Sequence, residues 1–223
     1  MKIAIDGPSG AGKSSVAKAL AHELGIIYVD TGALYRTIGY YVKCCGVSMQ
    51  DKAGIIACLP DIRLSLEYNN GTQRVILNGE DPGDAIRQPD ISMYASAVSA
   101  IPEVRSFLLN TQRDIARKHS VVMDGRDIGT VILPDAEVKV FLTAPLEERA
   151  RRRYDELRAK GVEVSFDDVL IQMKERDAQD AGRDIAPAVA APDAVVLDNS
   201  GFTVDESVEA VKAIINSKKR ERL

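Results

Sequence analysis

Gly7-Pro8-Ser9-Gly10-Ala11-Gly12-Lys13-Ser14 satisfies G-x-x-x-x-G-K-[ST] at every fixed position. The chemistry of such a loop is phosphate binding. Its glycines let successive N–H groups turn inward around phosphate oxygens, and the helix that follows adds its partial positive charge. Lys13 is expected to reach the β- and γ-phosphates of ATP, with the Ser14 hydroxyl on Mg²⁺. The expected donor site is therefore Gly7, Pro8, Ser9, Gly10, Ala11, Gly12, Lys13, Ser14 and Ser15.

Three further clusters carry charge suited to a second phosphate. In Asp30-Thr31-Gly32-Ala33-Leu34-Tyr35-Arg36, a threonine at a helix start and an arginine one turn later can jointly hold an anion. In Val121-Val122-Met123-Asp124-Gly125-Arg126-Asp127, Asp124 takes the place where such folds put the carboxylate that reaches Mg²⁺ through water. Arg126 and Asp127 then lie on the loop beyond it. In Lys174–Arg183, Arg176 and Arg183 are seven apart, so they share a helix face or flank a short lid at about 176–187. Arg149-Ala150-Arg151-Arg152-Arg153 is interleaved with acids and reads mostly as i,i+4 pairing, with room for one arginine near ATP.

These clusters need elements to position them. Apolar runs bounded by Gly, Asp or Pro predict buried strands at Lys2–Asp6, Ile26–Asp30, Val121–Asp124, Val138–Thr143 and Ala194–Asp198. Helical patterns fall at Lys13–Leu24, Ala33–Lys43, Val104–Lys118, Pro145–Lys160, Phe166–Gln179 and Val204–Asn216. The alternation predicts an α/β fold, a five-stranded parallel sheet with helices on both faces. Ligands of such sheets sit beyond the carboxyl ends of the strands. Asp61–Tyr68 and Thr72–Leu77, joined across Asn70-Gly71, predict an antiparallel β-hairpin inside an insert at about 60–90. One domain spanning 1–223 is expected. The insert and the lid are expected to be mobile when empty and to close on ligands.

Composition sets the outer limits. Hydrophobic residues make up 45% and charged residues 28% of 223, which suits a globular chain and excludes low-complexity or wholly disordered readings. A net charge of -4 argues against a protein that coats a nucleic-acid polymer. No apolar run approaches a membrane span or a signal-peptide core, so a cytoplasmic protein is expected. Cys44, Cys45 and Cys58 form no C-x-x-C, which fits a reducing compartment. Cys44 and Cys45 are expected to be small buried apolar residues. His22 and His119 read as surface residues near helix ends.

Four stretches together resemble the bacterial cytidylate kinases, within the nucleoside monophosphate kinase family. They are the Ile5–Ser14 start, Asp30–Arg36, Asp124-Gly125-Arg126-Asp127-Ile128-Gly129-Thr130, and Lys174-Glu175-Arg176-Asp177 followed by Asp180-Ala181-Gly182-Arg183. The resemblance spans nearly the whole chain, hairpin insert included. It implies a kinase that moves the γ-phosphate of ATP to CMP or dCMP. It implies that Thr31, Arg36, Arg126 and Arg183 hold the acceptor phosphate, that Ser96, Arg105 and Asp127 contact the cytosine, and that Arg176 and Asp180 contact the ribose. Lys13, Arg126, Arg176 and Arg183 would be the catalytic charges, and Ser14 with Asp124, through water, the metal site. Many relatives have Ser where this chain has Thr31, and some have a further lid arginine where it has Gln179. The expected partners are ATP, CMP or dCMP and Mg²⁺, with no nucleic acid or membrane and a monomeric state. Two alternatives stand beside this: a related kinase for another small acceptor, and a nucleotide switch. The switch would need a guanine-reading N-K-x-D stretch, which the chain lacks.

Overall fold

A computed structural model describes residues 1–69, 72–182 and 185–220. In chain order the described residues form β1 (Lys2–Asp6), α1 (Lys13–Leu24), β2 (Ile27–Asp30), α2 (Thr31–Cys44), α3 (Lys52–Cys58), β3 (Leu64–Asn69), β4 (Thr72–Leu77), α4 (Pro89–Ser99), α5 (Pro102–Lys118), β5 (Val121–Gly125), β6 (Val138–Thr143), α6 (Leu146–Ala159), α7 (Phe166–Ala181), β7 (Val195–Asp198) and α8 (Val204–Arg220). The five-stranded parallel sheet has the order β2-β5-β1-β6-β7, and β3 and β4 form a separate two-stranded sheet. The expected fold class is therefore the observed one. The chain divides into two units, Met1–Ile26 with Val121–Leu223, and Ile27–Ser120.

In the first unit, β1 and β5 are buried nearly throughout: Ile3, Ala4, Ile5, Val121, Val122 and Met123 are wholly inaccessible. Helices on both sheet faces require such continuous apolar runs. Register places Ile5 beside Asp124 and Asp6 beside Gly125 and Phe141, while Thr143 pairs with Asp198. The carboxyl ends of four strands thus lie along one edge, where a ligand belongs. Val16, Ala17 and Leu20 of α1 are buried, as are Val208, Val211 and Ile215 of α8. A satellite cluster of Ala150, Val169 and Met173 joins α6 to α7.

The second unit has its own core. Leu34, Ile38 and Val42 of α2 pack with Ile55, Val98, Val104 and Leu108. Val75 and Leu77 of the hairpin belong to that same cluster, so β4 is a wall of the core. The hairpin pairs as expected, from Leu64 with Leu77 to Asn69 with Thr72. Its turn, Asn70-Gly71, lies outside the described residues, as does Arg183.

Three differences from the sequence reading have physical causes. Helix α3 is short and contains Gly54, which hides it from a periodicity argument. Helix α4 starts at Pro89, a residue read as the end of the insert; proline suits a first helical turn because its missing N–H has no partner there. Cys44 and Cys45 are exposed, contrary to expectation, and only Cys58 of the three is buried. The buried stripe of α2 runs Leu34–Ile38–Val42, and the two cysteines follow it at the helix end.

Candidate active site

The phosphate loop fills the gap between β1 and α1. Gly7 has φ +146°, and a Cβ there would stand 2.0 Å from the Leu142 carbonyl oxygen of β6. Gly10 has φ +74°, and its Cβ would meet Met173 and Arg149 of the helices above. No L side chain is accommodated at either position. The loop's carbonyls are held from outside. Lys13 Nζ donates to Pro8 O at 2.7 Å, Arg149 Nη1 to Ser9 O at 2.8 Å, and Asn199 Nδ2 to Ala11 O at 3.1 Å. Arg149 is buried and fixed in turn by Ala144 O at 2.8 Å and by Asp177 at 2.7 Å. Arg152 donates to Asn199 O at 2.9 Å. The sequence marks Arg149 only as one member of a basic run and Asp177 only as part of the Lys174–Asp177 stretch, whereas Asn199 carries no signal. Their roles follow from where β7 and α7 end in space.

Lys13 is buried, at 6% exposure. Burial pushes its pKa well below the usual lysine value, and the nearby Arg126 and Arg176 push it the same way, while Asp124 and Asp6 oppose. A polyanion beside this amine would favour its charged form. Ser14 Oγ donates to Asp124 Oδ2 at 2.8 Å. Two hard oxygen donors at the end of β5 and the start of α1 fit Mg²⁺, which takes oxygen ligands and retains waters. Both residues were expected there.

Beyond β5, the chain forms one wide turn over Ile128–Ile132, with Ile132 N–H reaching back to Asp127 O at 3.2 Å and Leu133 N–H to Ile128 O. Such i→i+5 turns cluster at functional sites. Asp6, the last residue of β1, accepts from Ile128 N–H at 2.8 Å and Gly129 N–H at 2.7 Å. Its burial raises the carboxyl pKa to about 6, against those two N–H bonds that lower it. Asp6 thus sets the backbone immediately after Arg126 and Asp127, a role unseen in the sequence. Arg126 Nε donates to Asp180 Oδ2 at 2.9 Å, and Arg176 lies 3.9 Å from the same oxygen. Asp180 and Asp127 are buried. The first unit therefore brings together Lys13, Ser14, Asp124, Arg126, Asp127, Arg176 and Asp180.

The second unit gathers the rest. Asp30 caps α2, accepting from Ala33 N–H at 2.8 Å, and its other oxygen holds Arg36 at 2.8 Å. Thr31 is the buried first residue of that helix. Arg105 is buried, lies 5.8 Å from the Tyr35 ring centroid and donates to Ser99 O at 3.1 Å. The Ser99 hydroxyl donates to Ser96 O at 2.9 Å, which links Ser96 to Arg105. Asp30 is the functional residue missed here; its place just before Thr31 was the available signal.

A glycine-rich loop from a central parallel strand into a helix that opens on lysine and serine, with a carboxylate at the end of the adjacent strand, defines a P-loop phosphate-binding protein. The chain belongs to the cytidylate kinase family, whose model matches residues 3–217. It is 47% identical over 218 residues to the cytidylate kinase of Geobacter sulfurreducens, covering 98% of this chain and 94% of that one. It is 51% identical over 211 residues to the cytidylate kinase of Caldanaerobacter subterraneus subsp. tengcongensis, covering 95% and 92%. Among solved structures, the fold is similar to a shikimate kinase from Acinetobacter baumannii, with TM-score 0.50 and 15% identity over 98% and 94% of the two chains. It is similar also to an uncharacterized protein from Eubacterium ventriosum, with TM-score 0.52 and 17% identity over 97% and 98%.

Proposed function

We infer that this protein catalyses transfer of the γ-phosphoryl group of ATP to CMP or dCMP, giving ADP and CDP or dCDP. The observation that carries the reading is the family match from residue 3 to residue 217, which takes in the complete phosphate loop. An acceptor phosphate oxygen forms the new bond to the γ-phosphorus as the bond to the β–γ bridging oxygen breaks. No covalent enzyme intermediate is needed, because such transfers run on positioning and charge neutralisation.

In our reading the ATP phosphates lie in the Gly7–Ser15 loop with Lys13 on the β- and γ-groups. Ser14, and Asp124 through water, would hold Mg²⁺, which when bound neutralises phosphate charge. Thr31, Arg36, Arg126 and Arg183 hold the acceptor phosphate, Arg176 and Asp180 the ribose, and Ser96, Arg105 and Asp127 the base. A carboxylate only accepts hydrogen bonds, so Asp127 suits the cytosine amine and disfavours the uracil O4. The insert at about 60–90 and the lid at about 176–187 close over the acceptor within one nucleotide-kinase domain. Every residue given a role comes from one chain, so a monomer suffices. No described helix is long and apolar enough to cross a membrane, and the three cysteines are free. We place the reaction in the cytoplasm.

The test is an acceptor panel of CMP, dCMP, UMP, AMP and shikimate with ATP and Mg²⁺, read by chromatography of the products. CDP and dCDP as the main products support the reading. Preferred phosphorylation of shikimate or AMP would overturn it.

A further inference from the structure

The hairpin has no chemical part in the scheme above, yet one of its side chains reaches the acceptor-phosphate cradle. Gln73 stands second on β4, opposite Tyr68. Its amide bonds twice to the main chain of a single residue, Asp30. The Asp30 N–H donates to Gln73 Oε1 at 2.8 Å, and Gln73 Nε2 donates to Asp30 O at 3.2 Å. A side-chain amide here does what a neighbouring strand would do, satisfying both backbone groups at the last residue of β2. The Asp30 carboxylate is committed as well, one oxygen to the Ala33 N–H and the other to Arg36 Nη2, each at 2.8 Å. Asp30 is thereby fixed on both sides of its main chain and at both side-chain oxygens. Its only charged contact among these is the guanidinium of Arg36. Val75 and Leu77 of the same strand belong to the core cluster that includes Leu34 and Ile38 of α2.

We propose that Gln73 is a positioning residue for the acceptor phosphate: by clamping the Asp30 backbone it aims the Asp30 carboxylate, which in turn aims Arg36. The hairpin thus props the helix start that receives the acceptor. The inference rests on the assignment of Arg36 to the acceptor phosphate. Amide hydrogen bonds contribute modestly each, so the loss of two predicts an effect of about tenfold.

The experiment is a double-mutant cycle on the full chain with Gln73→Leu, Arg36→Ala and the double variant. KM for CMP, KM for ATP, kcat and Tm are measured for each. Gln73→Leu should raise KM for CMP about tenfold while KM for ATP stays within about twofold. In the Arg36→Ala background, Gln73→Leu should add less than about twofold, because its effect passes through Arg36. An additive penalty, or equal losses for CMP and ATP accompanied by a fall in Tm, would make Gln73 a structural residue only and overturn the proposal. If instead Arg36→Ala leaves KM for CMP unchanged, the failure lies with the assignment of Arg36, and the proposal falls with it. Gln73→Glu supplies a second variant that keeps the acceptor for the Asp30 N–H but sets a carboxylate against the Asp30 carbonyl. It should raise KM for CMP at least as much as Gln73→Leu; a normal KM would contradict the clamp.

Discussion

The Lys13 ammonium ends on a backbone carbonyl, Pro8 O at 2.7 Å, whereas the Arg126 guanidinium ends on a carboxylate, Asp180 at 2.9 Å. Around the phosphate loop, Arg149 and Asn199 hold backbone carbonyls, Arg149 with Asp177 on its other side, and burial disfavours the charged form of Lys13. The two arginines proposed for the acceptor phosphate each pair with a carboxylate, Arg36 with Asp30 and Arg126 with Asp180. On the proposed assignment, an arriving triphosphate would favour the charged form of Lys13 that burial disfavours. Acceptor affinity, on the same proposed assignment, would be conditional, because an arriving phosphate would have to share or displace a carboxylate that already holds the arginine. The carboxylates hold the two guanidinium groups in place.

The largest expected effect breaks the donor half of this comparison. Lys13→Ala should lower kcat by roughly 10²–10³, the scale for one preorganised charge at a developing anion. Its Tm should hold or rise, since the variant no longer buries an amine. Near-normal turnover would remove Lys13 from the chemistry.

The acceptor half is tested by Arg126→Ala. One charge-assisted contact of about 1.5–3 kcal/mol corresponds to roughly 10- to 150-fold in kcat/KM for CMP. Binding of an ATP analogue should change less. Equal weakening of both ligands would place Arg126 on the donor side.

Asp6 sharpens the comparison through pH. Between its ordinary value of 3.8 and its folded value of about 6, the folded chain binds this proton more tightly than the unfolded chain does. The stability owed to Asp6 is therefore fully present below pH 4 and is lost as pH rises through 6. A shift of about two units is worth about 3 kcal/mol. Denaturant titrations at pH 4 and pH 7 should show Asp6→Asn gaining on the wild type by that order as pH rises. A constant gap would mean that Asp6 titrates normally.

The smallest effect concerns base choice. Asp127→Asn should cut the ratio of kcat/KM for CMP over UMP by roughly thirtyfold, from one lost charged contact of roughly 2 kcal/mol. If both substrates slow together and the ratio holds, Asp127 merely orients its neighbours, and the base is read at Ser96 and Arg105.

Much of this arrangement was legible before any coordinates. The loop declares itself because only glycine survives at Gly7, and because lysine and serine follow at fixed spacing. The parallel sheet declares itself because strands buried on both faces must be apolar throughout. What stayed hidden depends on proximity between distant segments. Nothing local marks Asn199 as the partner of Ala11, Asp6 as the anchor of Ile128 and Gly129, or Gln73 as the partner of Asp30. Helix α4 was hidden for another reason: a proline that opens a helix and one that ends a loop look alike in one dimension. The exposed Cys44 and Cys45 show how a helix end escapes the burial pattern of the helix before it.

The central claim is that phosphoryl transfer here waits for a cytidine monophosphate acceptor. The most direct measurement is ADP formed by the purified protein from ATP and Mg²⁺, with and without CMP, in one coupled assay. The account predicts rapid ADP formation with CMP, a rate at least about a hundredfold lower without an acceptor, and one equal mole of CDP for each mole of ADP. ADP release that proceeds at the same rate without CMP, with no CDP formed, would contradict it and mark the protein as a nucleotide hydrolase or switch.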